Sequence, residues 1–173
     1  MAATKKSRTR SPRLTHLKPD GAAHMVDVTG KDHTARVAVA DGTVRMSKAA
    51  FAAMAAGQLK KGDALGVARI AGIQGAKKTW ELIPLCHPIP ITGVEVDVRP
   101  DPDLPGVHIC ATVKTQGQTG VEMEALTAVG CAALAVYDMI KAVDRGMVIG
   151  DMSVRMKDGG RSGRYQRPTE KRG

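Results

Sequence analysis

The segment Thr119–Arg145, TGVEMEALTAVGCAALAVYDMIKAVDR, decides the fold that the sequence predicts. It is the longest run in the chain with few helix breakers, since it holds two glycines and no proline. Thr119, followed three residues later by Glu122, has the pattern of a capping box, and Arg145-Gly146 supplies a basic last turn and a helix-stopping glycine. The segment therefore predicts one helix of about 24 residues, roughly 36 Å long.

Alanines and larger apolar residues lie on nearly every side of this predicted helix, so it should be buried on most sides. At about 100° per residue, its polar positions fall mainly on one stripe. The stripe consists of Glu124, Thr127, Cys131, Leu134, Asp138, Lys141 and Arg145. Because unpaired buried charge is costly, this stripe should face a polar cleft or a partner. A plainer alternative is that Glu122, on the opposite side, only caps the helix and that Asp138 and Lys141 are only an ion pair.

The net charge of +9 belongs to the two ends of the chain. Residues 1–13 carry five Lys/Arg and no acid, and residues 157–173 carry six Lys/Arg against two acids. Residues 14–156 hold fifteen basic and fifteen acidic residues, so the body is charge-balanced. We therefore expect a disordered basic tail at 1–13, a single domain at 14–163 and a basic tail at 164–173.

Composition narrows the class of protein. Aromatic residues make up only 2% of the chain, which weakens an interpretation as a base-stacking nucleic-acid binder. Three cysteines without a CxxC pair indicate reduced thiols, and hence a cytoplasmic protein. The sequence has no charge-free apolar stretch of 18 residues, so it predicts no membrane span. The N-terminus also lacks the apolar region of a secretory signal.

Cap signals predict two helices before the long one. Ser47 can cap a short alanine-rich helix at Lys48–Ala56. Asp63 can cap a second long helix from Ala64 to about Thr79, whose glycines would permit close helix packing.

Alternating and turn-bounded segments predict the strands. Ala35–Met46, with Asp41-Gly42 in its middle, predicts two short strands and a tight turn. Val94–Val98 alternates strictly, which indicates a half-exposed strand; Val107–Lys114 returns beside it, and Met147–Met156 is the last strand. Antiparallel hairpins with two long helices favour an α+β two-layer sandwich.

Three sites in the sequence could carry chemistry. His87 lies in a stiff proline-rich loop, where it could act as a general acid or base or be a structural histidine. Lys60-Lys61 precedes a helix and could hold a phosphate, or form a solvated turn. The glycine-rich segment Asp158–Gly163 could cradle an anion. Zinc bound by Cys86, His87 and a distant cysteine has no supporting ligand spacing.

Four sequence segments together resemble the cyclic pyranopterin monophosphate synthase family of molybdenum-cofactor biosynthesis. They are Leu14–Arg36 (LTHLKPDGAAHMVDVTGKDHTAR), Ala71–Pro88 (AGIQGAKKTWELIPLCHP), Lys114–Ala128 (KTQGQTGVEMEALTA) and Tyr137–Gly150 (YDMIKAVDRGMVIG). The resemblance spans roughly residues 14–163 without a large gap, so it is far more specific than a single motif.

The resemblance implies a ferredoxin-like α+β fold and a defined reaction. Members of the family convert 3′,8-cyclo-7,8-dihydroguanosine 5′-triphosphate to cyclic pyranopterin monophosphate and release pyrophosphate. They assemble as hexamers of three dimers, with active sites at subunit interfaces. No redox cofactor is implied, and Mg²⁺ would enter only with the substrate triphosphate, because the sequence offers no dedicated ligand set.

The resemblance also implies site residues. The catalytic aspartate falls on Asp138 and the essential lysines on Lys61 and Lys141. Substrate contacts fall on Leu85, Cys86, His87, Glu122, Met123 and Glu124. Basic positions around the phosphates fall on Arg36, Lys77 and Lys157.

One departure concerns the glycine-rich exit, where the family usually has SGGKSG and this chain has DGGRSG. Arg161 keeps the charge of the usual lysine but changes its geometry, so its role carries over only weakly. The rival classes are a nucleotide- or RNA-binding module with basic tails and no chemistry, and a zinc hydrolase.

Overall fold

The computed structural model describes Lys18 and residues 20–168, and the predicted tail at 1–13 lies outside these residues. In chain order, the elements are β1 (Thr34–Arg45), α1 (Lys48–Ala55), α2 (Ala64–Lys77), α3 (Thr79–Leu82), β2 (Ile91–Asp101), β3 (Gly106–Gly117), α4 (Glu122–Ile140), β4 (Val148–Asp158) and β5 (Tyr165–Gln166).

The five strands form one antiparallel sheet in the order β2-β3-β1-β4-β5. Helices α2 and α4 cover one of its faces and contact each other along their lengths. The predicted α+β two-layer sandwich is therefore confirmed. The split β-α-β arrangement, with β1 and β3 at the centre, is the ferredoxin-like order.

Small residues set the distance between the two long helices. The core is built mainly from alanine, valine and isoleucine. A Cβ on Gly75 of α2 would lie 2.5 Å from the Cys131 sulfur of α4, and one on Gly72 would lie 3.0 Å from the Ala128 carbonyl oxygen. The predicted role of these glycines in close helix packing is therefore confirmed.

The predicted helix starts at Ser47 and Asp63 are confirmed as well. The Ser47 side chain accepts a hydrogen bond from the Ala50 amide, and Asp63 accepts from the Leu65 and Gly66 amides. Each side chain satisfies backbone donors that the first helical turn leaves unpaired.

The predicted hairpin at Asp41-Gly42 is wrong, because β1 runs through it as one strand of 12 residues. Gly42 lies beneath α4, and a Cβ there would come within 2.6 Å of a Val129 methyl carbon. The glycine therefore makes room for the helix and does not turn the chain. A register irregularity against β4 lies in the same place, between Asp41 and Thr43.

Both predicted ends of the long helix are also wrong. At the start, Val121 is the N-cap and makes no side-chain cap, while the Glu122 carboxylate lies beside Gly120. At the end, α4 stops at Ile140 and a turn follows, giving 19 residues. Asp144 accepts hydrogen bonds from the amides of Ser47 and Gly146, which draws this turn towards α1.

Strand β5 was not predicted, since Tyr165 and Gln166 fell within the expected basic tail. They pair with Lys157 and Met156 at the edge of β4. The Arg167 amide donates to the Arg155 carbonyl in the same register. Two residues are too short a pattern to detect from alternation alone.

Helix α4 is long and apolar enough, by length and composition, to cross a membrane. Here it lies on the sheet and against α2, with nine of its residues buried. It is therefore the central core helix of this domain.

Candidate active site

An ionic cluster occupies the C-terminal end of α4. Asp138 lies between two ammonium groups: its Oδ2 atom is 2.5 Å from the Lys61 Nζ, and its Oδ1 atom is 2.7 Å from the Lys141 Nζ. Lys61 also donates to the Asp138 carbonyl oxygen at 2.9 Å. The structure thus brings together the three residues that the resemblance implies are catalytic. Lys61 reaches them from the loop before α2.

Charge in this cluster favours the ionised aspartate. Hydrogen bonds from Lys141 and then Lys61 lower the pKa of Asp138 to about 2. The carboxylate in turn raises the pKa of Lys141. All three side chains are about half exposed, so the cluster is open to an approaching molecule.

A cavity of about 320 Å³ lies at the opposite, N-terminal end of α4. We call it the Glu124 cavity. Its lining includes every predicted substrate contact from two parts of the chain, namely Leu85, Cys86, His87, Glu122, Met123 and Glu124. The proline-rich loop and the first turn of α4 therefore meet, as the resemblance implies.

His87 is held in this cavity by a backbone contact. Its Nε2 atom is 2.8 Å from the Val26 carbonyl oxygen. A carbonyl can only accept, so Nε2 carries the hydrogen. In the neutral ring, Nδ1 is then left as an acceptor for a proton or a substrate donor.

Glu124 is the most buried acidic side chain in the described part of the chain, with 3% of its surface exposed. Burial, with a smaller contribution from Glu122, raises the pKa of Glu124 to about 7. It can therefore gain or lose a proton near neutral pH, as a general acid or base must. Burial and the nearby Glu124 also raise the pKa of the Cys86 thiol, which favours its neutral form.

A second, larger cavity of about 590 Å³ adjoins the first. We call it the basic cavity. Four cationic residues line it, namely Lys31, Arg36, Lys157 and Arg161, and so do three acidic residues, Asp32, Glu122 and Asp158, so its lining carries a small net positive charge. The two cavities share Lys31, Thr119, Gly120 and Glu122 in their walls. A ligand with an anionic end and a ring could therefore extend from one to the other.

Backbone contacts order the wall between the cavities. Arg36 donates from Nε to the Gly117 carbonyl at 2.8 Å and from an Nη atom to the Gln118 carbonyl at 3.1 Å. Gln118 in turn donates to the carbonyl of Lys31 at 2.9 Å. These contacts hold Lys31 beside the segment that leads into α4.

One predicted substrate residue lies elsewhere. Lys77 lines a groove of about 440 Å³ beside β2, together with Ile73 and Ile91. Only Ile89 is shared with the Glu124 cavity. Within one chain, the structure does not bring Lys77 to Arg36 and Lys157.

The stripe along α4 is likewise divided. Its middle, at Cys131, faces Gly75 of α2 rather than a cleft. Glu124 and Asp138 at its two ends are separated by 14 residues of helix, about 21 Å along the axis. One chain therefore holds the Glu124 cavity and the ionic cluster at opposite ends of α4.

Lys31, Thr34 and Gln118 line the basic cavity but were not singled out from the sequence. Lys31 follows a turn in which Thr29 bonds Asp27, and this turn was the only local signal. Nothing in the sequence places that turn beside β3. Across the described residues, no three His, Cys, Asp or Glu side chains are grouped as ligands for a metal ion.

Comparison with known proteins identifies the family of this chain. The chain is 62% identical over 153 residues to the cyclic pyranopterin monophosphate synthase of Dinoroseobacter shibae, which covers 88% of this chain and 97% of the relative. It is also 62% identical over 156 residues to the protein of the same name from Jannaschia sp., which covers 90% and 96%. The model of the MoaC family matches residues 25–160, which include the ionic cluster, the lining of the Glu124 cavity and all of the basic cavity's lining except Arg161 and Ser162. This chain belongs to the MoaC family.

Proposed function

We propose that this chain is a cyclic pyranopterin monophosphate synthase, the activity that names its relatives. It acts in molybdenum-cofactor biosynthesis as a lyase. The observation that carries this proposal is the adjoining pair of cavities, one basic and one holding a buried Glu124 that titrates near neutral pH. The substrate is 3′,8-cyclo-7,8-dihydroguanosine 5′-triphosphate, which offers a polyanion and a ring that must exchange protons.

The reaction requires two kinds of assistance. Rebuilding the purine-derived ring moves protons, and Glu124 and His87 lie where they could accept and return them. Closing the cyclic phosphate requires a ribose hydroxyl to attack the α-phosphate while pyrophosphate leaves. Cations beside the α-phosphate stabilise the charge that develops on the leaving oxygen. Lys61 and Lys141 provide two such cations, and Asp138 holds both ammonium groups in place.

The site is composite, with the ionic cluster of one chain completing the Glu124 cavity of another. The separation of about 21 Å along α4 supports this, because it is too long for one compact reacting centre. Two α4 helices related by a two-fold axis would run antiparallel and bring the unlike ends together. Exposed apolar side chains on the helix layer, Ile70 at 70% and Leu134 at 62%, offer a surface for such a contact. The resemblance adds three such dimers per hexamer.

The remaining site assignments follow from the same reaction. Leu85, Cys86 and Met123 contact the substrate ring, while Arg36, Lys77 and Lys157 contact the phosphates, with Lys77 supplied from another chain. The enzyme needs no cofactor of its own, and any Mg²⁺ arrives on the triphosphate. Its three free cysteines suit the cytoplasm.

The direct test is to incubate the purified protein with the cyclised GTP intermediate and to follow the pterin product and pyrophosphate. We expect both products in equal amounts. A protein that binds the intermediate but forms neither product would instead be a nucleotide-binding module. The salt dependence of binding tests the remaining alternative, an RNA-binding module, because RNA binding through basic tails would weaken steeply with ionic strength.

A further inference from the structure

A single carboxylate joins the turn after α4 to the start of α1. Asp144 lies in this turn, which covers residues 141–146. Its Oδ2 atom accepts a hydrogen bond from the Ser47 amide at 2.7 Å, and its Oδ1 atom accepts one from the Gly146 amide at 2.7 Å. Ser47 lies 97 positions earlier in the chain. Both oxygens of Asp144 therefore hold together two segments of backbone that are distant in sequence.

The contact with Ser47 completes the cap of α1. In a capping box, the N-cap side chain bonds the N3 amide, and an acidic or amide side chain at N3 bonds the N-cap amide in return. Ser47 makes the first of these bonds, to the Ala50 amide, but alanine cannot make the second, and the first turn of α1 contains no acidic residue. Asp144 supplies the missing acceptor from the other end of the domain's sequence. Each segment therefore stabilises the other.

The turn carries one lysine of the ionic cluster. Lys141 is the C-cap of α4, and its amide bonds the Tyr137 carbonyl. The Tyr137 hydroxyl bonds the Arg145 carbonyl at 3.2 Å, which ties the far side of the turn back to α4. Among the described hydrogen bonds, the one between Asp144 and Ser47 joins this turn to an element other than α4. Because helix ends fray, such a contact restricts where Lys141 can lie.

The same contact lies upstream of the second lysine of the cluster. Helix α1 ends at Ala55, and the loop that follows it carries Lys61 towards Asp138. Asp144 therefore links the two segments that bring ammonium groups to Asp138 from different parts of the chain.

From these contacts we propose that Asp144 is a positioning residue of the ionic cluster, which fixes the turn that presents the Lys141 ammonium group to Asp138. The catalytic part of this inference rests on the proposed function, because it assumes that the cluster acts on the substrate. Hydrogen bonds from the amides of Ser47 and Gly146 lower the pKa of Asp144, so it stays ionised and keeps both contacts at neutral pH.

Competitive acylation of lysines, measured by mass spectrometry, tests this contact in the full-length protein without turnover. Only unprotonated amines react, and a hydrogen bond with Asp138 raises the pKa of Lys141, so Lys141 should react slowly in wild type. Asp144→Ala should release Lys141 and raise its reactivity severalfold. Lys78 is the internal reference, since it is equally exposed and pairs with Glu81 at 3.2 Å. A general loosening of the fold would raise the reactivity of both lysines.

Turnover measures the consequence for the reaction. Asp144→Ala should lower kcat by about 10–10²-fold, since a displacement of about 1 Å in a catalytic group can cost that much. KM should stay within about twofold, because Asp144 does not touch the substrate. Asp144→Asn keeps one acceptor oxygen and should give intermediate values.

Asp101→Ala is the matched control. Asp101 also accepts hydrogen bonds from two backbone amides, those of Asp103 and Leu104, and makes no described contact with the ionic cluster. Its loss should leave both kcat and the reactivity of Lys141 within about twofold of wild type.

Ser47 gives a second pair of variants, which removes the donor instead of the acceptor. Ser47 has φ −64°, a value that proline adopts. Ser47→Pro and Ser47→Ala both lose the side-chain cap, but only the proline variant loses the amide that bonds Asp144. Ser47→Pro should therefore raise the reactivity of Lys141 and lower kcat, while Ser47→Ala should change neither more than about twofold. This pair keeps the test open if Asp144→Ala does not fold.

Three results overturn the proposal. They are unchanged reactivity of Lys141 in Asp144→Ala, a raised KM with unchanged kcat in that variant, and equal effects of the two Ser47 substitutions. If Lys141 is released as expected and wild type forms no pterin from the cyclised intermediate, the positioning contact stands while the reaction assignment fails.

Discussion

The two ends of α4 carry the same kind of group in opposite states. Glu124 is 3% exposed and burial raises its pKa to about 7, whereas Asp138 is exposed between two lysines and its pKa falls to about 2. At neutral pH, one carboxyl can exchange a proton and the other remains a fixed negative charge. Their surroundings therefore suit them to different tasks, proton transfer at one end and orientation of cations at the other.

The largest expected effect comes from disrupting the ionic cluster at the exposed, C-terminal end of α4. Asp138→Asn removes the charge that holds Lys61 and Lys141, and should lower kcat by about 10²–10⁴-fold while substrate binding remains detectable. Lys61→Ala should do the same. Steady-state turnover and calorimetric binding of the intermediate measure the two quantities. Near-wild-type kcat in either variant would reduce the cluster to a structural ion pair.

Lys60→Ala is the matched control for Lys61→Ala. Lys60 is the preceding lysine, is exposed, and makes no ion pair among the described contacts. Its loss should leave kcat within about twofold of wild type, as for surface substitutions away from special features.

The next test asks whether Glu124 of one chain and Asp138 of another form one site. Inactive Glu124→Gln and Asp138→Asn subunits are mixed equally, unfolded and refolded together. Random pairing makes half of the dimers hybrid, and each hybrid carries one intact composite site, so about a quarter of wild-type activity should return. Hybrids that form, as shown by differently tagged subunits, and yet stay inactive would mean that the two residues serve separate sites.

The pH dependence of stability separates the two carboxyls directly. The folded-state pKa of Glu124 is raised from 4.5 to about 7, so the native protein holds an extra proton between these values and its stability falls as pH rises through this window. The loss could reach about 3 kcal/mol. Urea unfolding at pH 5 and pH 8 should show this decline in wild type and not in Glu124→Gln.

Asp138→Asn provides the contrast within the same experiment. Because the pKa of Asp138 is lowered, its contribution is present above pH 4 and is lost only as pH falls towards 2. The variant should therefore keep the wild-type decline between pH 5 and pH 8. A decline that persists in Glu124→Gln would assign the slope to another group.

The smallest expected effect lies between the two ends, where α4 crosses α2. Gly75→Ala would place a carbon 2.5 Å from the Cys131 sulfur, and should destabilise the fold by about 1–3 kcal/mol in urea unfolding. Gly130→Ala is the matched helical control, since its nearest atom is the Met152 methyl carbon at 3.4 Å. It should gain up to about 1 kcal/mol from helix propensity. Equal effects at the two glycines would argue against close packing at the crossing.

Local signals predicted most of the architecture because they act over few residues. The caps at Ser47 and Asp63, the alternation of Val94–Val98 and the α+β class all appear in the structure. The errors have long-range causes. Asp41-Gly42 has the local signal of a turn. The contact that requires a glycine at position 42 is with Val129, 87 positions further along the chain, and no local pattern shows it. Thr119 looked like a cap, but it lines the wall between two cavities.

The sequence by itself determined the family, the class of fold and the three residues of the ionic cluster, since these depend on residue identity, short spacing and sequence segments shared with the family. Only the tertiary structure decided that Lys31 and residues 158–162 line one cavity, that burial raises the pKa of Glu124 to about 7, and that α4 holds Glu124 and Asp138 apart. These properties depend on distances between distant segments and on exclusion of water. The groups that surround a carboxylate in space set its pKa and hence its charge. Its neighbours in sequence do not specify those groups.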